Sequence, residues 1–177
     1  WPGLVGSEMC IRDSYTTVNY FYENKGLKSF GIWGFSYGAT TALFSGLEFY
    51  NQTSNVELLG IFAESPYLDL LEVFTDQVAY RTPLNKNLAN LLKPGTIFLT
   101  NLVFDFNFNS IKKTFGNKNE ISFPTVVVSC ANDEIVPASQ SRKIVEILGP
   151  NATYEEFNNC NSHCLLYTSD AADEFSC

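Results

Sequence analysis

Apolar positions along the chain alternate between helical and strand-like spacing. Between Thr16 and Lys25, Val18, Phe21 and Tyr22 recur at intervals of three and four, and Gly26 stands where a helix commonly ends. The spacing predicts a helix over 16–25. Phe30, Ile32 and Trp33 form a short apolar run closed by Gly34, and Ala42, Leu43, Leu47 and Phe49 mark a second helix from Ala39 to Tyr50. Val56 to Ala63 (VELLGIFA) and Thr125 to Cys130 (TVVVSC, introduced by Pro124) read as two further strands. After Pro137, Ile144, Val145 and Leu148 are helically spaced up to Gly149, and Thr153 to Phe157 forms a last strand. The predicted order is αβαβ, an interruption, then βαβ. The first three strand candidates are continuous apolar runs, which suit strands covered on both faces in a parallel sheet with helical crossovers.

The interruption runs from Pro66 to Ile121. It holds Leu68, Leu70, Leu71, Val73 and Phe74, then Leu88, Leu91 and Leu92, then the aromatic stretch Phe98 to Phe108. One reading is a lid-like insertion (66–121) of one to three helices over the end of the sheet. The other is that these helices complete the core. Neither an internal repeat nor a low-complexity tract interrupts the pattern.

The two ends break it. Leu4 to Ser14 (LVGSEMCIRDS) and Cys164 to Glu174 (CLLYTSDAADE) have neither helical nor alternating apolar periodicity. Both resemble in-frame translations of the adapter DNA used to build sequencing libraries. The expectation is therefore that residues 1–14 and 164–177 are tails and that the natural segment is 15–163, an internal piece of a longer gene.

The chain's 177 residues favour one domain, and with 45% hydrophobic and 17% charged residues there is ample material for a core. The net charge is −8 over the whole chain. Setting aside Arg12 and the acids Glu8, Asp13, Asp170, Asp173 and Glu174 leaves 10 basic and 14 acidic residues, a net −4. An acidic surface without a basic stripe repels a phosphate backbone, so nucleic acid is not an expected partner. No apolar run approaches the ~20 residues that span a bilayer. Of the five cysteines only Cys130 and Cys160 lie in the natural segment. They read as too few and too far apart for a disulfide framework or a metal site, which leaves the redox compartment open.

Gly34-Phe35-Ser36-Tyr37-Gly38 is a Gly-x-Ser-x-Gly pattern between a predicted strand and a predicted helix. A serine at the apex of such a turn takes a strained backbone conformation that exposes its Oγ, and the flanking glycines let neighbouring chain approach without a Cβ. The following helix start makes the Tyr37 N–H a candidate oxyanion donor. Serine needs an oriented base. The chain holds one histidine, His163, in the loop after the last predicted strand. The carboxylate is assigned to Asp133, just beyond TVVVSC, with Glu134 and Glu64 as rivals. The lone histidine cannot assemble a metal-ligand set, and no Gly-rich loop is followed by Lys, so no metal and no cofactor are expected.

With GIWGFSYGA, ESPY, FPTVVVSCANDEIVPASQS and His163 in that order, the segment resembles the α/β-hydrolases over nearly all of 15–163, and most of all their serine esterase and prolyl-oligopeptidase-like branches. The resemblance implies the C-terminal part of that fold: a mainly parallel sheet with flanking helices and a small helical lid, whose first strands and second oxyanion donor precede Tyr15. It implies that Ser36 attacks an acyl carbonyl, His163 moves the proton, Asp133 holds the imidazole and Tyr37 N–H helps bind the oxyanion. The implied substrates are small carboxylic esters or short peptides, and a non-catalytic scaffold of the same fold is the alternative. Ser129-Cys130 stands where the family usually carries a His-Gly pair, a change that removes no catalytic group.

Overall fold

The structure, a computed structural model, describes residues 6–51, 55–81, 86–104, 123–160 and 163. Its elements are α1 (Gly6–Lys25), β1 (Ser29–Phe35), α2 (Tyr37–Asn51), β2 (Glu57–Glu64), α3 (Leu70–Arg81), α4 (Lys86–Phe104), β3 (Thr125–Cys130), α5 (Ala138–Leu148), a single 3₁₀ turn at Gly149–Asn151 and β4 (Ala152–Phe157). The expected αβαβ and βαβ blocks are both present, and β3 spans the predicted residues.

Every strand pairing is parallel, in the order β1-β2-β3-β4. Because each step moves to the next neighbour in the same direction, right-handed crossovers put the connecting helices on one face. That face forms the core: Ile61, Ala63 and Val127 of the sheet meet Ala39, Leu43 and Leu47 of α2 and Ile144 and Leu148 of α5. The register sets Ile32 beside Ile61, Ile61 beside Thr125 and Thr125 beside Ala152 on this packed side. The next row, Trp33, Phe62, Val126 and Thr153, points the other way. Trp33 is 61%, Phe62 40% and Val126 37% exposed, so among the described residues only one face of the sheet is covered.

α1 begins ten residues before the predicted Thr16, and Ile11 packs against the core cluster. Its apolar pattern is weak, but the helix lies against α2, with Tyr15 and Phe30 both stacking on Phe49. Tertiary contact extends what the sequence periodicity did not predict. The helix stops at Gly26, whose φ of +68° is open to glycine alone without penalty.

Within the interruption, Leu68, Leu71 and Val73 are buried, so the chain into and along α3 joins the core. On α4, Leu88, Leu91, Leu92 and Phe98 are exposed. The aromatic stretch beyond Phe104, residues 1–5 and residues 164–177 lie outside the described residues.

Candidate active site

β1 delivers the chain to Ser36 at the C-terminal edge of the sheet, and α2 starts on the next residue. Ser36 has φ +53°, a left-handed conformation that costs a non-glycine residue of order 1–3 kcal/mol. The surroundings hold it there. The Ser36 N–H donates to the Glu64 carbonyl at the end of β2 (2.8 Å), and the Ser36 carbonyl accepts from Thr40 N–H (3.1 Å). Thr40 and Tyr67 exchange two hydrogen bonds, Tyr67 N–H to Thr40 Oγ1 (3.0 Å) and Thr40 Oγ1–H to the Tyr67 carbonyl (3.2 Å), tying α2 to the chain beyond β2.

Of the two flanking glycines only one is required by space. A Cβ on Gly34 would run into the backbone of Gly38 and Ala39, whereas a Cβ on Gly38 would meet open space. The turn is tight at Gly34, and Gly38 is simply what lies opposite. This corrects the expectation that both glycines relieve a Cβ clash.

The acid side is built from the end of β3. Asp133 is buried, with its N–H donating to the Cys130 carbonyl (3.2 Å). Its Oδ1 accepts from Ile135 N–H and Val136 N–H, each at 2.8 Å, which fixes the carboxylate plane. Its Oδ2 lies 2.7 Å from His163 Nδ1, and His163 Nε2 lies 2.7 Å from Ser36 Oγ. Burial pushes the Asp133 carboxyl up, but the bond from His163, the Val136 N–H, the histidine's charge and the Ile135 N–H together outweigh it and hold the group below its ordinary value. Asp133 is thus an ionised acceptor at neutral pH, so Nδ1 carries the proton facing it and Nε2 is left to accept from the Ser36 hydroxyl.

The structure therefore brings Ser36, Asp133 and His163 together from three strand ends and places Tyr37 N–H at the first residue of α2. Glu64 is buried at the end of β2 with its carbonyl on Ser36, and Glu134 is exposed with its carbonyl accepting from Gln77. The histidine's Nδ1 is taken by Asp133.

Three contributors were not visible in the sequence. Phe35 sets its ring 4.8 Å from the His163 imidazole. Gln140, buried on α5, accepts from Leu68 N–H (3.1 Å) and Asp69 N–H (3.0 Å) and so pins the chain leaving the site on the β2 side. Cys130 and Cys160 form a disulfide, with Cα atoms 5.7 Å apart. That corrects the reading that they are too far apart to pair, because 30 residues of chain fold back through α5 and β4 to neighbouring strand ends. The signal that could have found them is their equal offset, each three residues before Asp133 or His163.

No protein-family model matches the chain, and no curated protein does. Solved structures do. A Pyrococcus furiosus esterase is similar at 20% identity and TM-score 0.58, over 84% of this chain and 52% of the esterase. A Paleococcus ferrophilus monoacylglycerol lipase is similar at 17% identity and TM-score 0.55, over 93% of this chain and 70% of the lipase. A Pyrococcus horikoshii acylaminoacyl peptidase is similar at 15% identity and TM-score 0.58, over 86% of this chain and 23% of the peptidase. The chain has part of the α/β-hydrolase fold and spans about half the length of the esterase it matches.

Proposed function

We propose that the chain carries the catalytic centre of a serine hydrolase that cleaves carboxylic esters through an acyl-enzyme. The observation that carries this reading is the continuous relay from Ser36 Oγ through His163 to Asp133, two contacts of 2.7 Å, with the serine held at positive φ before a helix N-terminus. Esterase, lipase and peptidase among the fold neighbours support the reaction class.

Ser36 Oγ attacks the acyl carbonyl carbon while His163 Nε2 takes its proton, and the imidazolium that forms is stabilised by Asp133. Charge developing on the carbonyl oxygen is met by Tyr37 N–H at the positive end of α2. Collapse of the tetrahedral species breaks the C–O bond, and His163 returns the proton to the departing alcohol. Water, deprotonated by the same nitrogen, then attacks the acyl-serine and frees the acid. The Tyr67 phenol, pushed up by burial and by nearby Tyr37, stays protonated at neutral pH.

The test is covalent labelling of the chain by a fluorophosphonate, in which the Ser36 oxygen displaces fluoride from phosphorus. Labelling mapped to Ser36 and abolished in Ser36→Ala supports the reading. A folded chain never labelled at Ser36 makes the non-catalytic scaffold the better reading. Cleavage of short peptide amides as fast as aryl esters would instead favour the peptidase reading.

A further inference from the structure

Cys130 and Cys160 serve neither the proton relay nor the packed core around α2, yet their disulfide lies between the two loops that meet at the site. Pairing of β3 with β4 ends at Cys130 and Phe157, with one further bond from Ala131 N–H to the Phe157 carbonyl (2.9 Å). From Phe157 the chain runs six positions to His163, a tether able to reach roughly 20 Å in any direction. The sheet alone therefore does not fix the imidazole. The bond from Cys160 to Cys130 shortens the free tether to three positions, roughly 10 Å of reach, and anchors it to the last residue of β3. The same residue holds the other partner, since Asp133 N–H donates to the Cys130 carbonyl. Both half-cystines are buried, so the clasp sits on a rigid support.

We propose that Cys130 and Cys160 are positioning residues for the reaction: their disulfide clasps the His163 loop to the Asp133 turn, so that the imidazole bridges Asp133 and Ser36 only in the oxidised chain. This rests on the serine hydrolase reading. A dithiol reductant would transfer two electrons to the bond, giving two cysteine thiols and its own cyclic disulfide, and would release the base from its acid without touching either.

Because His163 is the one histidine of the chain, its ring can be followed without assignment ambiguity. The experiment uses the full chain before and after dithiothreitol. Circular dichroism reports the fold, the low-field proton resonance of the Nδ1–H reports the contact with Asp133, and fluorophosphonate reports Ser36. On reduction the circular dichroism persists, the resonance disappears, and labelling slows about 10⁴-fold, the loss expected of a serine left without its base. Reoxidation restores both signals. The variant Cys130→Ala/Cys160→Ala shows the slow rate with or without reductant. An unchanged resonance and labelling rate in a chain whose reduction is shown by thiol titration, or in Cys130→Ala/Cys160→Ala, overturns the proposal. So does unfolding of the whole chain on reduction, since the bond would then serve the fold and not the site. An oxidised chain that shows the resonance but is never labelled sinks the serine hydrolase reading alone, and the resonance still decides the clasp.

Discussion

Ser36 and His163 meet at 2.7 Å, but the two halves of the site are held by different means. Ser36 is fixed mainly by its near neighbours, the Gly34 turn and the start of α2, with one bond to Glu64 on the adjacent strand. His163 is fixed by contacts 30 and 127 positions away and by a disulfide to the neighbouring strand end. A local half forms as soon as its strand and helix pack, whereas the distant half requires the whole β3–α5–β4 unit to be in place. The serine should therefore tolerate damage on the acid side structurally while losing its chemistry.

The strongest test of that contrast is Asp133→Asn. The amide keeps an oxygen for the Ile135 and Val136 N–H groups, but presents its NH₂ to Nδ1 and stabilises the tautomer whose Nε2 carries a proton. Ser36 then has no base. Labelling and ester turnover should fall by about 10⁴ with circular dichroism unchanged. Glu134→Gln and Glu64→Gln should each cost far less, and a larger loss from either would transfer the role of acid to it.

On the local half the effect is smaller and falls on the fold. Gly34→Ala drives a Cβ into the Gly38 and Ala39 backbone, and overpacking of this kind costs about 1–3 kcal/mol. Labelling and thermal stability should drop together. Gly38→Ala meets open space within α2 and should be neutral or stabilising by up to about 1 kcal/mol in chemical denaturation. Equal destabilisation by both would show that the turn is not held where the Gly34 contact places it.

The same division explains what was legible in the sequence. Gly34 to Gly38 announce their turn because the constraint is local, and the chain order of Ser36, Asp133 and His163 is a property of the sequence itself. TVVVSC and VELLGIFA gave strands because β-branched and apolar residues fill both parities. That double filling implied two covered faces, yet α2 and α5 cover only one, leaving Trp33 and Phe62 exposed. Apolar composition records what a strand is suited to meet and is silent on whether it meets it. The disulfide was lost for the opposite reason. Thirty positions looks remote along the chain, but a strand, helix and strand bring both ends to one sheet edge. Phe35 and Gln140 act through tertiary contacts for which no spacing rule exists.

Acid offers a milder probe of the distant half. Asp133 titrates below its ordinary value of 3.8 in the folded chain, so its folded state binds fewer protons than the unfolded one. The stability it contributes is complete above that ordinary value and is lost as pH falls through the depressed folded value. The stability gap between the wild-type chain and Asp133→Asn, measured by urea unfolding, should close progressively as pH falls below about 4. A gap that stays constant to pH 2.5 would mean that the carboxylate's partners do not favour its charge.

The smallest effect concerns the start of the chain. We propose that residues 1–14 are a tail of foreign origin, yet α1 is helical from Gly6 and Ile11 touches the core. A half-buried isoleucine accounts for about 1 kcal/mol, since full burial of such a side chain is worth about 1.5–3 kcal/mol. The helical turns around it add little, because helices of this kind are held by tertiary packing more than by propensity. Tyr15, which stacks on Phe49, remains after the deletion and keeps the rest of α1 against α2. Removing residues 1–14 should therefore lower stability by about 1 kcal/mol or less and leave the labelling of Ser36 unchanged. A loss above about 3 kcal/mol would exceed anything Ile11 can supply and would make the segment an integral part of the fold.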